Sequence, residues 1–406
     1  MNYWTGALIA LLFLAFALGS RKLSGSILTG PMLFAAVGFA IGPQVLGWVE
    51  IQISNGVIHA IAEVTLVVVL FTDAASTDFS SFRRSGNLPL RMLLVGMPLA
   101  LGLGTLAATG LFPGWSLWEA ALLAAILTPT DAALGQSVIE NDAIPERIRT
   151  AIGSESGLND GLALPLVILF AALASGGSDG GAIYWLEFVG GQILLGPLAG
   201  VAIGYTGGRL VALADDKGWM NEWAEGIAAM AVALGAFMLA EAVNGNGFLA
   251  AFAGGLAFGK GLGRKCRFLY EFQQTEAHML VLITFTLVGA MLLPAAMQHF
   301  TVDCFLFSVF ALTVMRMLPI ALSLAGLKLD WHTLAFLGWF GPRGLASVLF
   351  LLIVMQSTDL ARESELLAAV ALTVTLSIFL HGITAAPWAR IYGRAAGETG
   401  NGNQPT

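Results

Sequence analysis

Charge is what this sequence has least of. Of its 406 residues only 11% are Asp, Glu, Lys or Arg, against about 25% in soluble domains, while 57% are hydrophobic. With a mean hydropathy of +0.81, that shortage excludes a mainly water-soluble chain. Basic excess is missing too: 19 Lys and Arg against 26 Asp and Glu leave a net charge of −7, which excludes nucleic acid as a main partner. Two cysteines, Cys266 and Cys304, make neither a disulfide framework nor a metal site. The apolar runs are long rather than alternating, which disfavours a β-barrel.

What is present is a series of apolar stretches at 4–19, 27–48, 56–75, 90–111, 117–139, 147–174, 184–212, 223–243, 248–262, 277–297, 301–325, 331–356 and 366–389. Thirteen spans at about 20 residues each leave too little chain for a separate soluble domain. The expectation is therefore an all-α polytopic membrane protein, one membrane domain over 1–394 and a short disordered tail over 395–406. Ala15-Phe16-Ala17 resembles a cleavage site, but Met1–Trp4 carries no basic residue and Arg21-Lys22 follows the run, so the first stretch is read as a retained helix.

Basic residues alternate with the stretches. Sixteen of the 19 fall after odd-numbered ones: Arg21, Lys22; Arg83, Arg84, Arg91; Arg147, Arg149; Arg209, Lys217; Lys260, Arg264, Lys265, Arg267; Lys328; Arg390, Arg394. Arg362 alone follows an even one. The positive-inside rule then places the odd loops and the C-terminus in the cytoplasm and the N-terminus outside, as in a multi-pass cell-membrane protein.

An ionisable group at mid-bilayer costs about 2.5–3.5 kcal/mol, so it needs a partner, a water cavity or a function. The cases are Asp73, Asp131, Glu155, Asp160, Arg316 and Arg343; Glu63 and Glu241 lie near span ends, where snorkelling or helix-end solvation suffices. Asp131 lies in Leu127-Thr128-Pro129-Thr130-Asp131, where Pro129 cannot donate to the helix ladder and predicts a break. In the sixth stretch, Ser156 and Asp160 share one helix face, and Glu155 and Asn159 the adjacent face. Pairing stretches 1–6 with 8–13 shifts by seven, an odd number, so the two halves are inverted. The fifth stretch then matches the twelfth, which is interrupted at Gly341-Pro342-Arg343-Gly344. Two proline-broken helices at matching positions point to a transporter site, with Arg343 offsetting negative charge at half-helix ends.

Thr130-Asp131 in a broken helix, Glu155-Ser156-x-x-Asn159-Asp160-Gly161, Arg316 and Gly341-x-Arg343-Gly344 resemble the monovalent cation:proton antiporter-1 family, bacterial and archaeal NhaP type, along essentially the whole chain. The resemblance implies an NhaA-like antiporter fold of inverted six-helix repeats with crossed broken helices 5 and 12, working as a homodimer. It implies a monovalent cation held by Asp131, Asp160, Ser156 and the Thr130 backbone, and a glutamate–arginine pair mapping most simply onto Glu155 with Arg316, with Arg343 as a possible second partner. The acidic residue of its third span maps onto Asp73, where Asp for Glu shortens the reach. Many members have Pro directly after the Asp of span five, whereas here Ala132 follows Asp131 and Pro129 precedes it.

The expected function is exchange of Na+ or Li+ for H+ in pH homeostasis, without a cofactor. Two nearby carboxylates cannot both stay ionised without a counter-charge, which a proton or a cation supplies in competition. Asn159 stands where electrogenic relatives have a second Asp, which implies one proton per cation. The alternative is K+/H+ exchange on the same fold; a cation channel and an intramembrane hydrolase stand further off. A phosphate-loop reading of Gly254–Lys260 fails because Gly261 stands where Ser or Thr is needed. His59, His278, His299, His332 and His381 are scattered singly, which suits helix-end hydrogen bonding better than metal binding.

Overall fold

The computed structural model describes residues 3–23, 26–48, 56–76, 87–131, 134–139, 141–176, 181–263, 275, 278–358 and 360–400. Ser24, Arg83, Arg84, Ala132, Arg264, Lys265, Cys266 and Arg267 lie outside the described residues. Every regular element among those described is a helix. Lipid offers no hydrogen-bond partner, and a helix satisfies its backbone within its own segment.

Each apolar stretch is helical. In chain order they are α1 (Tyr3–Leu23), α2 (Gly30–Ile41), α3 (Gly56–Ser76), α4 (Leu88–Leu111), α5 (Leu117–Ile126), α6 (Gln136–Ile139), α7 (Glu146–Ala174) and α8 (Gly181–Asp216). There follow α9 (Glu222–Ala242), α10 (Gly247–Leu262), α11 (His278–Met297), α12 (Val302–Ser323), α13 (Trp331–Trp339), α14 (Leu345–Ser357) and α15 (Glu363–Gly400). Among the described residues, eight helices are long and apolar enough to cross a membrane, so the chain is an all-helical, multi-span membrane protein. The last helix, α15, runs through Gly400. Ala395 and Ala396, strong helix formers, carry it on.

Four prolines show two contrasting behaviours. In α4 and α11, Pro98 and Pro294 each follow a π-turn, at Met92–Gly96 and Val288–Leu292. Proline lacks the N–H for the carbonyl four residues back, and the widened turn lets the helix continue past it. The fifth and twelfth stretches instead part at Pro129 and Pro342, into α5 and α6 and into α13 and α14.

The chain packs as two compact units. The first comprises Met1–Asn55, Ser80–Asn159 and Val281–Thr406, and holds both broken stretches. One part of its core joins Met92 of α4, Ile148 and Ile152 of α7, Phe336 of α13 and Tyr392 of α15. There Phe336 stacks on Tyr392 with ring centroids 4.3 Å apart. Arg91 at the start of α4 donates to the Ala325 carbonyl beyond α12 at 2.8 Å. At the start of α5, Ser116 and Glu119 form a capping box; beside it the Trp115 indole donates to Glu365 at 2.6 Å.

The second unit comprises Gly56–Phe79 and Asp160–Leu280. Gly196, Gly200, Gly204 and Gly208 recur every four residues on α8 and meet backbone of Asn246, Ala250, Gly254 and Phe258. A Cβ on Gly208 would lie 2.5 Å from the Phe258 carbonyl oxygen. The adjacent side of α10 uses Gly255 and Gly259 against Phe71 and Ala75 of α3. Small residues let backbones approach where lipid supplies no hydrophobic drive between helices. Glu241 accepts the Gly247 amide at 2.8 Å across the α9–α10 turn, so its charge serves a helix end.

Candidate functional site

The site grows from the two breaks. Helix α5 stops at Ile126 because Pro129 cannot donate and residues before proline leave the α region. Thr128 turns its hydroxyl back to Ala124 at 2.6 Å. Helix α13 stops at Trp339 ahead of Pro342, and α14 begins at Leu345. Each break leaves carbonyls bare at one half-helix end and N–H groups bare at the other.

The breaks satisfy one another. The Asp131 amide donates to the Pro342 carbonyl at 2.8 Å. The Asp131 carboxylate accepts from the Leu345 N–H at 2.6 Å and, more loosely, from the Leu134 N–H at 3.4 Å. It therefore sits at the positive end of α14. In the other direction, Arg343 donates to the carbonyls of Thr128 and Pro129, the latter at 3.1 Å. Ser347 donates to the Ile126 carbonyl at 2.8 Å. Two glycines make room: a Cβ on Gly344 would strike the Asp131 carboxylate, and one on Gly341 the Arg316 guanidinium. Arg343 is fully buried, and Thr130 and Asp131 are nearly so.

Helix α7 adds the remaining groups. Glu155 and Arg316 form a two-pronged ion pair, with Nη2 and Oε2 2.5 Å apart. The fork geometry suits two charges buried together, since Nη1 and Nη2 of Arg316 each meet one carboxylate oxygen of Glu155. Ser156 and Asn159, one turn apart, both reach Thr130. The Thr130 and Ser156 hydroxyls are 2.8 Å apart, and the Asn159 amide donates to Thr130 Oγ1 at 2.8 Å. Asn159 thus serves the Thr130 hydroxyl. A small cavity with room for about one water is lined by Thr128, Glu155, Asn159, Arg316 and Arg343 on its polar side.

Thr130, Asp131, Glu155, Ser156, Asn159, Arg316 and Arg343 therefore converge in the first unit, framed by Pro129 and Pro342. Asp160 and Asp73 belong to the second unit. Asp160 follows Asn159 directly on α7, and Asp73 lies near the C-terminal end of α3; both are half-buried.

Two residues escaped the sequence reading, Ser347, which caps α5, and Ser377 on α15; His381, also on α15, was expected to make helix-end hydrogen bonds. Ser377 accepts the Arg343 amide at 2.7 Å. His381 reaches the Trp339 carbonyl at 3.0 Å through Nε2, which is helix-end bonding. Their signal was present: Thr373, Ser377, His381 and Thr384 form a polar stripe at helical spacing in an apolar helix.

Comparisons with known proteins bear on the family and the fold. The family described as "Sodium/hydrogen exchanger, transmembrane" matches residues 7–391. The K(+)/H(+) antiporter NhaP of Alkalimonas amylolytica is 24% identical over 327 residues, covering 79% of this chain and 55% of the relative. The K(+)/H(+) antiporter NhaP2 of Shewanella oneidensis is 24% identical over 361 residues, 84% of this chain and 61% of the relative. The chain thus spans less than two thirds of the length of these curated relatives. The structure of the sodium proton antiporter MjNhaP1 from Methanocaldococcus jannaschii superposes with a TM-score of 0.75 at 19% identity, over 95% of this chain and 97% of that one. That likeness gives the fold. With a match along nearly its whole length, the chain belongs to the sodium/hydrogen exchanger family, a family of membrane transporters rather than enzymes.

Proposed function

We propose that this protein exchanges a monovalent cation for protons across the membrane, with Asp131 and Asp160 as the groups for which the two compete. The observation that carries this reading is the reciprocal capping of two broken helices around a buried carboxylate. The hydroxyls of Ser156 and of Thr130, the residue before Asp131, lie 2.8 Å apart and add oxygens of the kind hard cations take. Asp131 already accepts backbone N–H groups at a half-helix N-terminus, so its charge is partly matched without a proton. Asp160 is then the proton carrier, Ser156 and the Thr130 backbone complete the cation's shell, and Asp73 acts through water.

The cation is K+ ahead of Na+ or Li+, the reverse of the order expected from the sequence. Both bacterial relatives above are named as K(+)/H(+) antiporters. Na+ is the second reading, favoured by the name of the structural neighbour. Proton flux in proteoliposomes offered K+, Na+ and Li+ in turn decides between them; no flux with any of the three overturns the antiport reading.

The membrane arrangement belongs to the same proposal: thirteen crossings in inverted halves, the odd loops and C-terminus cytoplasmic, and a homodimer. Contacts within the first unit support the alternation. Arg91 meets Ala325, and Gly393 abuts Ala143, all beside odd-numbered loops, whereas Trp115 meets Glu365 beside even-numbered ones. Asn159 beside Asp160 supports one proton per cation and an electroneutral cycle in pH homeostasis.

A further inference from the structure

Helix α15 touches neither Thr130, Asp131 nor Ser156 in any hydrogen bond described above, yet it holds both ends of the second break. Ser377 and His381, four residues apart on it, are almost completely buried. On the far side of the break, Ser377 Oγ accepts the Arg343 N–H at 2.7 Å. On the near side, His381 Nε2 lies 3.0 Å from the carbonyl of Trp339, the last residue of α13. The two side chains also meet each other: His381 Nδ1 lies 3.2 Å from Ser377 Oγ and 3.0 Å from the Ser377 carbonyl. A neutral ring protonated at Nε2 suits the Trp339 carbonyl and the Ser377 hydroxyl, but not the Ser377 carbonyl, which faces the bare Nδ1. Nε2–H donates to Trp339, and the Ser377 hydroxyl, having accepted from Arg343, donates to Nδ1. The Trp339 ring stands 5.0 Å from the imidazole, and its indole N–H donates to Thr384 of α15 at 2.9 Å. The break between Trp339 and Leu345 is therefore gripped at its first carbonyl and at the amide of Arg343.

We infer that Ser377 and His381 are positioning residues for transport: as a latch they fix the Arg343 peptide, and Arg343 in turn fixes the fifth-stretch break. The Arg343 guanidinium bonds the carbonyls of Thr128 and Pro129, immediately before Thr130 and Asp131. Loosening the peptide that carries it changes where those carbonyls, and the residues after them, stand. Neither Ser377 nor His381 need touch the ion, so their removal acts on apparent cation affinity through geometry. A packing role alone would lower the amount of folded protein and leave affinity as it was.

This inference rests on the antiport reading, and the experiment separates the two. Full-length Ser377→Ala, Ser377→Thr, His381→Leu and His381→Gln are reconstituted beside the parent. The half-saturating cation concentration is measured by proton flux, and exchange at the Arg343 amide by hydrogen–deuterium exchange. A buried N–H left without its acceptor corresponds to about a tenfold change in an equilibrium. Ser377→Ala should raise the half-saturating concentration about tenfold and speed exchange at Arg343. Ser377→Thr, which keeps the hydroxyl, should stay near the parent. His381→Leu should follow Ser377→Ala, and His381→Gln, which keeps a donor for Trp339, should recover most of the loss. If Ser377→Ala yields no folded protein, the two His381 variants decide by the same readouts. Parent-like affinity in both Ser377→Ala and His381→Leu overturns the latch. Where the parent itself moves no cation, the antiport reading fails, and the latch then stands or falls on amide exchange alone.

Discussion

Gly204 on α8 and Gly344 before α14 both occupy places where a methyl group has no room, but different neighbours exclude it. Beside Gly204 the obstacle is the backbone of Gly254; beside Gly344 it is the carboxylate of Asp131. The first contact belongs to a stripe of small residues that brings α8 onto α10 backbone to backbone. The second belongs to a crossing in which main-chain groups freed by proline are matched by charged and hydroxylated side chains. Small-residue packing gives a helix pair one close fit, in which all backbone bonds stay inside each helix. At the crossing, each half-helix depends on the other for its caps. Under the proposed function, a proton or cation at Asp131 would disturb that exchange of bonds directly.

The largest effects should come from removing a site charge. Asp160→Asn and Asp131→Asn should each abolish exchange in proteoliposomes while folded yield stays near the parent. An amide resembles the protonated acid, and at 131 it still offers an oxygen to Leu345. Residual exchange in Asp160→Asn would move the proton carrier elsewhere.

Next comes the buried pair. Removing one partner strands the other charge, at a cost of about 3–5 kcal/mol. Glu155→Ala should therefore lower thermal stability in detergent and folded yield together with activity. A Glu155→Ala protein as stable as the parent would mean that Arg316 is satisfied by other groups.

Gly204→Val tests the other side of the comparison. Overpacking there should cost about 1–3 kcal/mol of stability, read as a lower melting temperature, and leave the half-saturating cation concentration of the surviving protein unchanged. A changed affinity would erase the distinction between the two regions. Ser347→Ala should give the smallest effect, about 1 kcal/mol, because it removes one hydrogen bond from the Ile126 carbonyl. Its flux should keep the parent's maximal rate with a severalfold weaker half-saturation.

These residues also show what the sequence could reveal. Pro129 and Pro342 announced the breaks, because a proline within an apolar run must be accommodated somewhere. Arg316 announced a buried partner, because a guanidinium in an apolar helix needs one. What was hidden is who caps whom: Asp131 and Leu345 are 214 residues apart, and no spacing rule connects them. Ser347 was silent for a different reason. Ser308 and Thr313 return their protons to carbonyls four residues back, as membrane-helix hydroxyls commonly do, and nothing in the sequence separates them from Ser347. Pro98 and Pro294 mark a limit of the proline signal itself, since π-turns absorb both without a break. The α8 glycines, four residues apart, were readable by the same periodicity that placed Ser156 and Asp160 on one face.

The central claim is that proton and cation compete for one set of carboxylates. It is tested most directly by measuring the half-saturating cation concentration of the parent protein in proteoliposomes across a range of pH. Competition requires that concentration to fall as pH rises, by up to about tenfold per pH unit while the site is protonated, and to level off once the carboxylates are ionised. A half-saturating concentration that stays constant with pH while the maximal rate changes would contradict the account.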